Sequence, residues 1–160
     1  MKILRLTPQD DDALMTTYLT RRVTFDATHR YWRSDWSDDE NRRAFGLWAT
    51  PKFHGHEYVC DVTVTGDVDR VTGMIVDLAS LDRVLQAEVR DRFASREINL
   101  DVPEFTDGRL VPTCENLARF IAECVQGALG RSATVTAVRV AEDETISATH
   151  RPGEGETHGR

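Results

Sequence analysis

Two histidines two residues apart, His54 and His56, open a run of strand-forming residues, Tyr58-Val59-Cys60-Asp61-Val62-Thr63-Val64. Aromatic and β-branched side chains favour extended chain, and in a strand residues i and i+2 point to one face. The spacing therefore sets two imidazoles side by side, within reach of one metal ion held by nitrogens at about 2.0–2.1 Å. It equally describes two solvated polar residues on a strand. A third histidine lies upstream. In residues 21–31 the alternation of Val23, Phe25, Ala27 and His29 against Thr24, Asp26 and Thr28 predicts a strand whose apolar face ends in His29. Alone, His29 reads either as a hydrogen-bonded core histidine or as a ligand.

The remaining elements must position these side chains. Residues 2–7 fit a short strand and residues 10–19 a short helix entered through an Asp cap. Residues 32–41, rich in Ser, Asp and Arg with Trp32 and Trp36 interleaved, read as a loop with a helical turn at Ser37-Asp38-Asp39-Glu40. The tryptophans are lid aromatics, interface anchors or ordinary packing. Residues 56–65 form the second strand, followed by turn chemistry at Gly66-Asp67 and Thr72-Gly73. Met74-Ile75-Val76 is a short strand or the approach to a helix. Residues 77–93 space Leu78, Leu81, Val84, Leu85, Val89 and Phe93 as one face of an amphipathic helix. Residues 99–105 form a loop. A second helix opens with Thr113 as N-cap and carries the stripe Leu117, Phe120, Ile121, Cys124, Val125 and Leu129, which makes Cys124 a core residue; Gly127 and Gly130 end it. Strands at 134–140 and 145–149 follow, separated by a turn at Glu142-Asp143-Glu144. The Gly- and charge-rich residues 151–160 read as a disordered tail with His158 exposed. The order strand, strand, helix, helix, strand, strand predicts an α+β fold: a four-stranded antiparallel sheet with two helices on one face. Its two open edges could be closed by joining copies into a barrel.

Size and composition narrow the function. The chain has 160 residues, 40% hydrophobic and 29% charged, the profile of one globular domain. Acidic residues outnumber basic ones by 27 to 20, and no basic cluster or helix face suggests nucleic-acid binding. No stretch approaches the roughly 18–20 apolar residues of a membrane span. The N-terminal run is too short and too interrupted, by Lys2 and Arg5, for a secretory signal. Cys60, Cys114 and Cys124 are odd in number and widely spaced, which suits reduced thiols and a cytoplasmic location.

Several stretches, taken together and in order, resemble the 6-pyruvoyl-tetrahydropterin synthase / 6-carboxytetrahydropterin synthase family: Phe25-Asp26-Ala27-Thr28-His29-Arg30, Glu40-Asn41, Phe45-Gly46, His54-Gly55-His56, Thr72-Gly73-Met74-Ile75-Val76-Asp77-Leu78, residues 99–105 (NLDVPEF), Pro112-Thr113-Cys114-Glu115-Asn116 and residues 138–142. The resemblance implies the tunnelling fold, with the ββααββ order, over residues 21–150 behind an N-terminal extension at 1–20. It implies trimeric barrels paired into a homohexamer, and a zinc ion on His29, His54 and His56. Three imidazoles without a fourth protein ligand leave a coordination position open, as catalytic zinc sites do. It further implies a small pterin-like substrate, anchored by Glu142 through two parallel N–H bonds, with Thr113, Cys114 and Glu115 in the same pocket.

The chain departs from the family pattern where protons should move. The family's acid/base cysteine falls at Trp48, and its Asp-His pair falls at Ala94 and Ser95. General acid–base groups typically contribute about 10²–10⁴-fold in rate, so the standard reaction should be lost or reduced to a trace. Cys60, Ser95 and His150 are weak candidate replacements; Trp48 either stacks on a planar ligand or fills the vacated space. Two readings follow. One is a zinc-dependent, lyase-like enzyme acting on a 7,8-dihydroneopterin-type substrate, as the triphosphate or a near relative, with altered chemistry or trace synthase activity. The other is a non-catalytic zinc- and pterin-binding homo-oligomer.

Overall fold

The sheet is ordered by two long strands that pair over their whole length. In the computed structural model, which describes residues 16–50 and 52–153, β1 (Tyr18–His29) runs antiparallel to β2 (His54–Thr65), from Tyr18 opposite Thr65 to His29 opposite His54. β1 thus begins three residues earlier than the alternation suggested. Thr17 is non-helical and Tyr18 and Leu19 are extended, which overturns the C-terminal part of the helix expected at 10–19; the rest of that helix and the strand expected at 2–7 lie outside the described residues. On the other side of β2 lies β4 (Thr134–Ala141), then β5 (Ser147–His150), both antiparallel. The expected four-stranded antiparallel sheet is present. It gains a fifth member: β3 (Arg96–Glu97) pairs in parallel with Ala27 and Thr28 at the β1 edge. Two residues are too few to leave a periodic signature in a sequence.

Alternation selects the core face. Phe25, Ala27 and His29 of β1 and Tyr58, Cys60, Val62 and Val64 of β2 are all buried. Val135 and Val138 of β4 join them although they are three residues apart, because the register slips between Thr63 and Val64 and a bulge returns both to one face. The helices pack on this face. α2 (Leu78–Leu85) starts at an Asp77 cap and runs on through a π turn at Gln86–Arg90 and a last turn at Asp91–Phe93. The π turn has a packing reason. Leu81, Leu85, Val89 and Phe93 are all buried at a spacing of four, whereas an ideal α-helix drifts about 40° per four residues. One wide turn takes up part of that drift and keeps the stripe on the sheet. α4 (Cys114–Leu129), capped by Thr113, lies beside it; Gly127 falls inside the helix and only Gly130 ends it. Cys124 is half-buried against the core rather than within it.

The helical turn expected at Ser37-Asp38-Asp39-Glu40 is present and runs on to Phe45 as α1 (Asp38–Phe45), with a full capping box: the Ser37 hydroxyl accepts from the Glu40 N–H while Glu40 accepts from the Ser37 N–H. One further region differs from the loop expected. Residues 98–101 form one turn, α3 (Ile98–Asp101). Met74-Ile75-Val76 is the irregular approach to α2 rather than a strand. Among the described residues no helix is long and apolar enough to cross a membrane.

Candidate metal and substrate centre

The open end of the core face carries the chemistry. His29 and His54 are cross-strand partners, and His56 lies opposite Ala27, so the three rings meet on the helix-covered side of the β1–β2 pair. Their centroids are 4.7, 4.9 and 5.1 Å apart. One ring nitrogen from each lies within 4.8 Å of the others, a donor set that suits one ion. Below them Tyr58 stacks on Phe25, and Phe25 on Phe93, so an aromatic column fixes the strands beneath the triad.

His29 is the best determined of the three. It is fully buried, and its Nδ1 lies 2.8 Å from the carbonyl oxygen of Pro112, just before α4. A carbonyl can only accept, so Nδ1 carries the proton and Nε2 presents its lone pair. That Nε2 is buried without a hydrogen-bond partner, as is Nε2 of His56. Buried polar atoms are almost always satisfied; a cation bound between them would satisfy both of these imidazole nitrogens, which face one point. Burial, opposed by the Pro112 bond and aided by the neighbouring imidazoles, lowers the His29 pKa to about 4, and burial followed by His56 lowers that of exposed His54. The neutral form, the one that ligates metal, is thereby favoured.

Glu142 is brought to the triad by β4, one residue past the strand's end, and is 7% exposed. Its Oε1 is 3.8 Å from His29 Nε2 and its Oε2 is 3.8 Å from His56 Nε2. The Tyr31 hydroxyl donates to Oε1 at 2.8 Å, and Cys114, the first residue of α4, lies close enough for the same carboxylate to act on its thiol. Burial first and Glu142 second push the Cys114 thiol up to about 12 and raise the hydroxyls of Tyr31 and Tyr58 well above the phenol range. Glu115 is exposed in the first turn of α4 and close enough to act on Tyr31. Thr113 caps the helix, its hydroxyl accepting from the Asn116 N–H at 3.3 Å. Glu142, Thr113, Cys114 and Glu115 are therefore gathered around one end of the sheet.

The positions to which the resemblance assigns acid and base lie elsewhere. Trp48 ends a 3₁₀ turn at Gly46–Trp48 and is 70% exposed, beside Leu47, which is fully exposed; within the chain Trp48 does not fill a vacated space. Ala94 is partly buried against the core. Ser95 sits past the β1 edge, its N–H donating to the Asp26 carbonyl at 2.7 Å and its hydroxyl to Asp26 Oδ2 at 3.2 Å. Of the other candidates, Cys60 is buried in the core with its pKa raised to about 12, chiefly by burial. His150 pairs with Val138, which pairs with Val62; at about 3.3 Å per residue that is roughly 20 Å from His56. Neither serves the triad.

Sequence reasoning missed Tyr31, Tyr58 and two buried asparagines. Asn99 closes on the backbone of Arg30 from both sides, accepting from its N–H and donating to its carbonyl. Asn41 does the same for Arg33. Together they fix the segment that carries Tyr31. The buried Tyr58 hydroxyl, near the triad, has no hydrogen-bond partner.

The fold and the triad define a class: α+β domains whose sheet ends in an open, histidine-built centre with a carboxylate beside it. Comparison with known proteins names the family. The 6-pyruvoyl tetrahydropterin synthase family model matches residues 18–153. The 6-pyruvoyl tetrahydrobiopterin synthases of Homo sapiens and Pongo abelii are each 37% identical over 111 residues, 69% of this chain and 75% of theirs. That of Drosophila melanogaster is 33% identical over 125 residues, 78% of this chain and 73% of its own. The solved Caenorhabditis elegans 6-pyruvoyl tetrahydropterin synthase superposes with a TM-score of 0.78 at 29% identity, over 85% of this chain and 95% of that one. The chain belongs to the 6-pyruvoyl tetrahydropterin synthase family.

Proposed function

We propose that the chain binds zinc through His29, His54 and His56 and acts on a reduced pterin of the 7,8-dihydroneopterin type, as the triphosphate or a near relative, by chemistry altered from the usual synthase reaction. One observation carries the metal: the unpartnered Nε2 atoms of His29 and His56 face a common point with His54 beside them. Zinc held there would polarise a hydroxyl or carbonyl oxygen of the substrate side chain, or acidify a bound water. The chain's own residues do the rest. His29 is held in the ligating tautomer by Pro112. Glu142 and Glu115 offer carboxylates to the N–H edge of the pterin, where two parallel charge-assisted bonds give orientation. Thr113 and Cys114, at the positively polarised start of α4, border the same space.

The specific observation favouring the second reading, a binding protein without turnover, is the absence of a titratable group at Trp48, Ala94 and Ser95. One experiment separates the two. Metal content and turnover of dihydroneopterin and its triphosphate are measured for the chain and for the triple variant Trp48→Cys/Ala94→Asp/Ser95→His. Turnover by the unmodified chain supports the altered enzyme. Binding without turnover, unrescued in the triple variant, supports the binding protein. Metal-free protein with no pterin affinity defeats both. The family likeness and the outer edge of β5, unpaired among the described residues, support a homo-oligomer, which light scattering after size exclusion would show as a hexamer. The three free cysteines support a reducing, cytoplasmic compartment.

A further inference from the structure

Glu142 stands in an unusual place. Each of its oxygens is 3.8 Å from a triad Nε2, too far for a hydrogen bond and near enough that a small displacement would deliver a carboxylate to a shared cation. Carboxylate oxygens are ordinary zinc ligands, and a fourth protein ligand would close the position that substrate needs. One donor holds the carboxylate back, the Tyr31 hydroxyl at 2.8 Å. The Tyr31 bond is of the stronger, charge-assisted class, and Tyr31 is itself well fixed. Its ring meets His29 edge-on at 5.2 Å and lies 6.4 Å from Phe45. The backbone on either side is clamped by Asn99 and Asn41.

We propose that Tyr31 is a positioning residue that keeps Glu142 from becoming the fourth ligand of the bound metal, and so preserves an open position and a carboxylate free to meet substrate. The inference rests on the metal reading above. Cobalt(II) tests it, because its visible absorption reports ligand number and type without requiring turnover. Tyr31→Phe removes only the hydroxyl. It should alter the cobalt spectrum, tighten cobalt binding by about tenfold, the lower end of the effect typical of groups that orient ligands, and weaken azide binding at the open position by a similar factor. Glu142→Gln should leave the spectrum close to that of the unmodified chain. The double variant Tyr31→Phe/Glu142→Gln should match Glu142→Gln, since no carboxylate remains to move. Bound cobalt with an unchanged spectrum and unchanged azide affinity in Tyr31→Phe overturns this inference alone. So does a changed spectrum that persists in the double variant. An unmodified chain that takes up no cobalt overturns the metal reading and this inference with it.

Discussion

The triad end of the sheet and the two turns at Gly46–Trp48 and Ala94–Ser95 are built on different terms. At the first, function and packing coincide: His29 is fully buried, its ring is bonded to the start of α4, and Glu142 is enclosed by Tyr31 and Cys114. At the second, the side chains lack the titratable groups that the resemblance implies, and the backbone holds a demanding shape. Gly46 has φ +56°, and Ser95 holds φ +59°, the left-handed region that non-glycine residues seldom occupy. A centre embedded in the core cannot lose a residue without destabilising the fold; a side chain on a peripheral turn can be exchanged at little structural cost. The contrast fits the proposed reading, a chain with a metal-ligand set and without the proton-transfer set that the family resemblance implies.

The strongest way to break this contrast is to attack the core side. His29→Ala should abolish stoichiometric zinc, weakening affinity by on the order of 100-fold or more, because it deletes one of three ligands; isothermal titration or metal analysis reads it directly. Next in size is a pH effect on the metal-free chain. The His29 pKa falls from 6.5 unfolded to about 4 folded, so between those values the unfolded chain binds the extra proton. Stability therefore rises with pH through that window, is complete above about 6.5, and is lost on acidification by up to about 3 kcal/mol. Denaturant unfolding at pH 7.5 and 4.5 should show a difference that His29→Gln reduces.

Two smaller tests sharpen the contrast. Glu142→Gln should weaken the binding of a reduced pterin by roughly 10–100-fold, the worth of hydrogen bonds to a charged group at about 1.5–3 kcal/mol, and Glu115→Gln by less, because Glu115 is exposed and solvent-screened. Equal losses in both variants would show that the buried carboxylate has no special place in ligand binding. The smallest effects lie on the periphery. Ser95→Gly should leave the melting free energy within about 0.5 kcal/mol, whereas Ser95→Val, β-branched at a left-handed position, should cost about 1–2 kcal/mol. Trp48→Ala should be nearly neutral for the single chain's stability, as an exposed side chain that buries little.

What could be read from the sequence divides along the same line. The periodic parts were legible: alternation through Val23, Phe25, Ala27 and His29 placed the third histidine on the correct face, and the Thr113 cap and the Leu117–Leu129 stripe defined α4. The partners of the site were not. Tyr31 lies beyond the end of β1, where alternation no longer says which way a side chain points; its role depends on two asparagines that close on backbone from 8 and 69 residues away. Cys114 was read with the pocket, but its contact with Glu142 joins the start of a helix to the end of a strand, a pairing no local spacing reveals. The first turn of α1 was legible at Ser37-Asp38-Asp39-Glu40; its continuation to Phe45 was obscured by the polar, Trp-containing composition around it. The π turn in α2 hid behind an apolar pattern that matched an ordinary helix.

The hydrogen bond from His29 to the Pro112 carbonyl spans 83 residues of chain. It means that the nitrogen offered to metal is oriented only when β1 and the entrance to α4 are already together. An ion that prefers this arrangement stabilises it by mass action, by about 2.7 kcal/mol at a free concentration a hundred times its dissociation constant. With zinc on the proposed site, metal uptake would report completed assembly: a chain whose long helix had not docked would compete poorly for the ion, and a chain that had taken it up would resist opening at the helix entrance as well as at the histidines.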